Sequence, residues 1–200
     1  MSINLKTPSR RDRNKQEVRA RLLDSAVRMF AERGYAETAI SDIADEAEVS
    51  RATAFNYFPR KEDYFFAWAE ARRAEVRTVL AAETVAAQDA AMRLLRSFET
   101  LADAYEQDAR LSRPLTREWL KAGGPLMSRA SESSQLVTEL LIQGQANGDI
   151  RKDVDATEAG FIVLDVYLGT LYRWARAEDD TTLKAPLLRA LRLVLSAMRP

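Results

Sequence analysis

Apolar residues recur at three- and four-residue intervals along most of the chain, and the two-residue alternation of a half-buried strand is absent. From Lys15 to Arg33 the repeating positions are Val18, Leu22, Leu23, Ala26, Met29 and Phe30, and Gly34 follows as a helix-ending signal. Thr38 is placed to cap a short helix over 39–47, with Ile40, Ile43, Ala44 and Ala47 facing inward. Ser50 caps the next, from Arg51 to about Phe58, and Pro59 ends it. A long helix then runs from about Lys61 to near Ala82, its first turn carrying Glu62 and Asp63 where the macrodipole favours negative charge. Further helices are expected over 89–108, 112–121, 125–147, 155–177 and 183–198. The predicted fold class is all-α, with about nine helices and no internal repeat.

The helix over 155–177 differs from the others. Its middle, GFIVLDVYLGTLYRW, is apolar nearly all round, as in a helix covered on every side. The last helix adds a second broad apolar face. Phe161, Leu164, Leu168 and Leu171 on the first, and Leu187, Leu191, Val194 and Leu195 on the second, are the candidate surface for pairing with a second copy. Gly160 and Gly169 would allow close approach there. Burial within one large helical core is the alternative.

Composition narrows the chemistry. The 200 residues contain no Cys and no His, which removes disulfides, thiolate nucleophiles, the Ser-His-Asp triad and the HExxH metal site. No metal ligand set, cofactor motif or catalytic cluster emerges, and an enzyme using Asp, Glu or Lys remains only as a remote reading. Asp165 is the acidic residue expected to be buried. No apolar run reaches the ~18 residues of a membrane span, and no signal-peptide segment opens the chain. A soluble cytoplasmic protein is expected. Charges balance at 30 against 30, yet seven basic residues lie between Lys6 and Arg21 against Asp12 and Glu17. Residues 1–14 read as a disordered basic arm that could touch nucleic acid.

The stretch from Thr38 to Asp63 gathers the most informative residues. Two short helices joined by a tight turn form a helix-turn-helix, whose second helix can enter the DNA major groove. That helix carries Arg51, Ala52, Thr53, Phe55, Asn56 and Tyr57. Arg pairs bidentately with guanine and Asn with adenine, so Arg51 and Asn56 are the candidate base readers. Ala52 is small enough to permit close approach. Thr38, Thr53 and Tyr57 carry hydroxyls suited to phosphate oxygens, and Lys61 adds its charge at a helix N-terminus.

In register, this segment resembles the DNA-binding domain of the TetR/AcrR transcriptional regulators. The resemblance rests on Phe30 and Gly34-Tyr35, on Thr38 and Ile43-Ala44, on the turn Ala47-Glu48-Val49-Ser50, and on Thr53-Ala54-Phe55-Asn56-Tyr57-Phe58-Pro59-Arg60-Lys61. Two positions depart from the family pattern. Glu48 stands where the turn usually has Gly. Phe55 replaces a Tyr, which makes it a packing or thymine-methyl residue rather than a phosphate ligand. The resemblance implies a DNA-binding domain over 15–62 and an effector-binding, dimerising domain over 63–200. It further implies a homodimeric repressor released from a near-palindromic operator by a small molecule. Phe98, Tyr105, Trp119, Met127 and Tyr167 are candidate pocket residues, and their apolar bias suggests a hydrophobic or amphipathic effector, acyl-bearing or aromatic. An activator, or a DNA-binding regulator without an effector, is the alternative.

Overall fold

The computed structural model describes residues 9–82, 89–121 and 132–200. Among them run nine α-helices and no strand, so the all-α expectation holds. They are α1 (Arg10–Arg33), α2 (Ile40–Glu46), α3 (Arg51–Tyr57), α4 (Glu62–Ala82), α5 (Ala90–Glu106), α6 (Ala109–Lys121), α7 (Glu132–Asn147), α8 (Ala156–Arg176) and α9 (Lys184–Ala197). The chain divides into two compact units, one ending at Trp68 and one beginning at Ala69. The division between them falls inside α4. The expected start of a helix at Pro125 lies outside the described residues.

In the first unit, α1 begins earlier than the sequence suggests. Ser9 Oγ accepts the Asp12 N–H at 3.2 Å, and the Asp12 carboxylate accepts the Ser9 N–H at 3.1 Å. This reciprocal capping box draws residues 10–14 out of the expected disordered arm and into the helix. Leu22, Ser25, Ala26, Met29 and Phe30 form the buried face, and Gly34 ends the helix at a φ of 87°. The start of α2 is also corrected. Thr38 is not its cap; Ala39 takes that position, with its N–H donated to the Asp42 carboxylate at 3.3 Å. Ile43, Ala44 and Ala47 are buried as expected. Ser50 Oγ accepts the Thr53 N–H at 3.1 Å and starts α3, which buries Ala54 and leads to buried Phe58. The Asp63 carboxylate then accepts the Arg60 N–H at 2.8 Å ahead of α4.

Rings from three places fill the centre of this unit. Phe58 stacks on Tyr64 at 4.1 Å, while Phe30 meets Tyr35 and Phe65 at 5.3 and 5.4 Å. Offset and edge contacts of this kind add about 0.5–1.5 kcal/mol each to plain burial.

In the second unit α8 packs against α6, α7 and α9, and α5 packs against α7 and α9. Two glycines set these distances. A Cβ on Gly160 would lie 2.8 Å from Thr138 Oγ1, and one on Gly144 would lie 2.6 Å from both Ala90 Cβ and Ile150 Cγ1. The close approach at Gly160 is therefore made within the chain, not with a second copy. The same holds for most of the residues assigned to a dimer surface. Leu164, Leu168, Leu171, Leu187, Leu191 and Leu195 are buried in their own unit, and only Phe161 and Val194 remain half-exposed. Asp165, expected inside, is exposed. The Glu106 carboxylate secures the start of α9 by accepting the Leu183 and Lys184 N–H groups.

Glu48 has a φ of 54°, the left-handed conformation that costs an L-residue with a Cβ about 1–2 kcal/mol. Glu48→Gly removes that strain at some cost in chain entropy. The expected result is a gain of up to about 1 kcal/mol, read as a rise of a few degrees in thermal midpoint. An unchanged or lower midpoint would show that the turn carries no such strain.

Candidate nucleic-acid interface and effector pocket

Ser50 and Ala54 between them decide which way α3 points. With Ala54 fully buried against its own unit, Arg51, Ala52, Phe55 and Asn56 face solvent, and Phe55 is 48% exposed. Thr53 and Tyr57 are half-buried at the edges of that face, and the Thr53 hydroxyl shares a hydrogen bond of 2.8 Å with Ser50 Oγ. Arg51 stands 4.0 Å from Asp45, both side chains 69% exposed, a pairing worth little in water. One short helix therefore offers a guanidinium, a carboxamide, a small residue and an apolar ring together. This is the mixture needed to read donors, acceptors and the thymine methyl in a major groove.

Two expected phosphate ligands are placed elsewhere. Thr38 is 1% exposed, and its hydroxyl donates to the Gly34 carbonyl at 2.8 Å. It satisfies a carbonyl at the end of α1 and cannot reach a phosphate. The Lys61 ammonium donates to the carbonyls of Tyr35 and Thr38, the latter at 2.9 Å, and lies 4.0 Å from the centre of the Tyr35 ring. The Ala36 carbonyl stands 3.4 Å away as a third acceptor. Lys61 ties down the turn between α1 and α2 rather than projecting toward a ligand. Tyr35 is held from its other end, its hydroxyl donating to Glu62 at 3.1 Å. Nearby, burial pushes the Tyr64 hydroxyl up to about 12, so it stays protonated.

The second unit contains a cavity of about 260 Å³ among α4, α5, α7 and α8. Leu94, Phe98 and Leu101 of α5, Val137 and Leu140 of α7, and Leu164 of α8 supply an apolar wall. Tyr105, Tyr167 and Arg73 add polar atoms to it, while Gln135, Leu136 and Glu139 are exposed at its rim. The Tyr105 and Tyr167 hydroxyls hydrogen-bond to each other, and burial raises both above the ordinary phenol range. Of the five candidate pocket residues, Phe98, Tyr105 and Tyr167 line this cavity. Trp119 does not; it is buried elsewhere on α6. Met127 lies outside the described residues. Sequence reasoning missed Arg73, one of two adjacent arginines with nothing to mark it. It also passed over the α7 positions, although Ser133, Val137 and Leu140 keep helical spacing.

With a helix-turn-helix in one unit and an apolar cavity in the other, the chain has the two parts of a one-component regulator. Residues 22–67 match the family described as bacterial regulatory proteins, tetR family. Residues 73–197 match the C-terminal domain of TetR/AcrR family transcriptional repressors. The chain belongs to the TetR/AcrR family, and it is a ligand-responsive DNA-binding transcriptional repressor, not an enzyme.

Individual relatives agree. The transcriptional repressor KstR of Mycobacterium tuberculosis is 26% identical over 183 residues, covering 90% of this chain and 81% of that protein. The crystal structure of Thermus thermophilus FadR in complex with lauroyl-CoA is 30% identical, with a TM-score of 0.69, covering 91% of this chain and 95% of that one. FadR of Bacillus subtilis, in complex with stearoyl-CoA, shares the fold at 20% identity and a TM-score of 0.68, covering 90% of this chain and 99% of that one.

The geometry separates the expected readers from the two residues that hold the turn. Arg51→Ala and Asn56→Ala should each weaken specific operator binding by about 1–3 kcal/mol without lowering the thermal midpoint. Thr38→Val should instead cost about 1 kcal/mol of stability by leaving the Gly34 carbonyl unpaired. Gel shift on DNA flanking the gene, with melting curves of the same proteins, distinguishes the two classes. A stable Thr38→Val protein that has lost operator binding would return Thr38 to the interface.

Proposed function

We propose that two copies of this chain hold their α3 helices in successive major grooves of a near-palindromic operator in the cytoplasm, and that an acyl-bearing amphipathic molecule releases them. The apolar cavity in the second unit carries this reading, because α4 both contributes Arg73 to its wall and begins directly after the α3 segment. A ligand that prefers one arrangement of α4 over another shifts the population of the DNA-binding form. The lauroyl-CoA bound by the Thermus protein supports an acyl thioester as the class of effector.

The surface left for dimerisation differs from the one expected. On α8 the outward stripe is Ile162, Val166, Gly169 and Tyr172, with Ile162 50% and Tyr172 49% exposed. On α9 it is Pro186, Ala190, Leu193 and Val194, with Leu193 74% exposed. Both stripes follow helical spacing, and a two-fold axis would bury each against its copy. In this arrangement Arg51, Asn56, Ala52 and Phe55 contact bases, while Thr53 and Tyr57 contact the backbone at the edges of α3.

Leu193→Asp is expected to yield folded monomers by light scattering and to lose high-affinity operator binding. A dimeric Leu193→Asp protein would move the interface elsewhere. Titration of the wild-type protein–operator complex with lauroyl-CoA should release the DNA at micromolar concentrations. A complex indifferent to medium- and long-chain acyl thioesters would overturn the effector reading.

A further inference from the structure

Taking up the dimer proposed above, on which this rests, we infer that α8 crosses its copy antiparallel at Gly169. Asp165 of each chain then pairs with Arg173 of the other, and this reciprocal ion pair fits the surface to a second copy of this chain.

Gly169 lies half-exposed in the outward stripe of α8. Glycine inside a helix destabilises it, so the position needs a reason. Nothing within the chain supplies one: a Cβ there would meet only Arg173 Nη1, at an ordinary 3.7 Å. Gly144 and Gly160 differ, since an added Cβ at either would lie under 3 Å from a neighbour in the chain. A helix laid across the outward face of α8 approaches most closely at Gly169.

The residues on either side are complementary about that point. Asp165 lies four residues before Gly169 and Arg173 four after, about 6 Å along the axis in each direction. Val166 and Tyr172 stand three before and three after. A two-fold axis at Gly169, perpendicular to α8, sets Asp165 against Arg173 of the copy, Val166 against its Tyr172, and glycine against glycine. Each contact is made twice, as in any isologous interface. In a parallel arrangement Asp165 would face Asp165 and Arg173 would face Arg173, which like-charge repulsion opposes.

The two charges are available for such pairing. Both side chains are exposed, and among the described residues neither forms an ion pair. Arg173 donates through Nη2 to Thr170 Oγ1 at 3.1 Å, which leaves Nε and Nη1 for a carboxylate. Arg176 lies 5.6 Å from the centre of the Tyr172 ring and extends the same face. On α9, Arg189 and Arg192 are exposed beside the second stripe and compete for Asp165.

Sedimentation equilibrium and native mass spectrometry of the full-length chain near neutral pH test the pairing. Asp165→Arg and Arg173→Asp should each weaken the homodimer at least about thirtyfold, because each puts two like-charge contacts into the interface. Asp165→Arg/Arg173→Asp should return to within about fivefold of wild-type affinity. An equimolar mixture of the two single variants should form mainly heterodimers, whose mass differs from that of either homodimer. Both positions are exposed, and circular dichroism melts establish that each variant is folded. A single variant that dimerises as tightly as wild type, or a mixture with no excess of heterodimer, would overturn the inference. So would rescue of Asp165→Arg by Arg189→Asp or Arg192→Asp but not by Arg173→Asp. A wild-type chain that stays monomeric at micromolar concentration removes the dimer reading itself, whereas a dimeric wild type with a failed swap removes only the pairing at Gly169.

Discussion

A helix-turn-helix unit of about sixty residues has little apolar area with which to hold a reading helix steady. Here the limitation is met by concentrating aromatic rings where α1, α3 and α4 converge. Phe58 follows the last residue of α3 and stacks on Tyr64 in the first turns of α4, so the reading helix is anchored at its C-terminal end. Phe30 and Tyr35 close the same cluster from the end of α1. Lys61 then donates to the Tyr35 and Thr38 carbonyls between α1 and α2, while lying over the Tyr35 ring. Charge, ring and carbonyl are used together, and without Lys61 the turn would lose the donor that ties its two ends. The exposed face of α3 can carry polar and reading residues because none of them is needed to hold the helix in place.

The second unit solves a different problem. Its central helix α8 is covered on three sides by α6, α7 and α9, and glycine lets α7 approach so closely that Gly160 has no room for a Cβ. The cavity among α4, α5, α7 and α8 coincides with the Arg73, Tyr105 and Tyr167 atoms that a plain core would omit. Space and polarity thus occur together at this one place on α5 and α8.

Much of this was legible in the sequence, because helical periodicity and capping residues report local structure. Ser50, Asp89 and Asp155 cap the helices they precede. Gly34 and Gly148 end theirs at positive φ. The positive φ at Glu48 was foreseeable as well, since its place in the turn demands it. Errors arose where a residue's partner is distant in sequence or where two elements compete for it. Thr38 looked like an N-cap or a phosphate ligand, but Gly34 four residues earlier offered its hydroxyl a buried carbonyl. Lys61 sits 23 residues from the Thr38 carbonyl it bonds, beyond any local signal. The leucines of α8 and α9 identify covered faces, but periodicity does not say whether the cover comes from the same chain. Leu164 and Leu191 proved to be internal, and the outward stripes are marked instead by Ile162, Tyr172 and Leu193.

The cavity also bears on how far an effector could move the DNA-binding equilibrium. Converting a population almost entirely in one form to one almost entirely in the other needs a preference of about 5.5 kcal/mol for the second form. Burying a methylene is worth about 0.8 kcal/mol, so roughly seven methylenes held in one form and excluded from the other would supply it. Hydrogen bonds to a single oxygen cannot, since each adds only about 0.5–1.5 kcal/mol net. The apolar wall, rather than a single polar contact, is therefore the feature of the cavity large enough to supply such a preference.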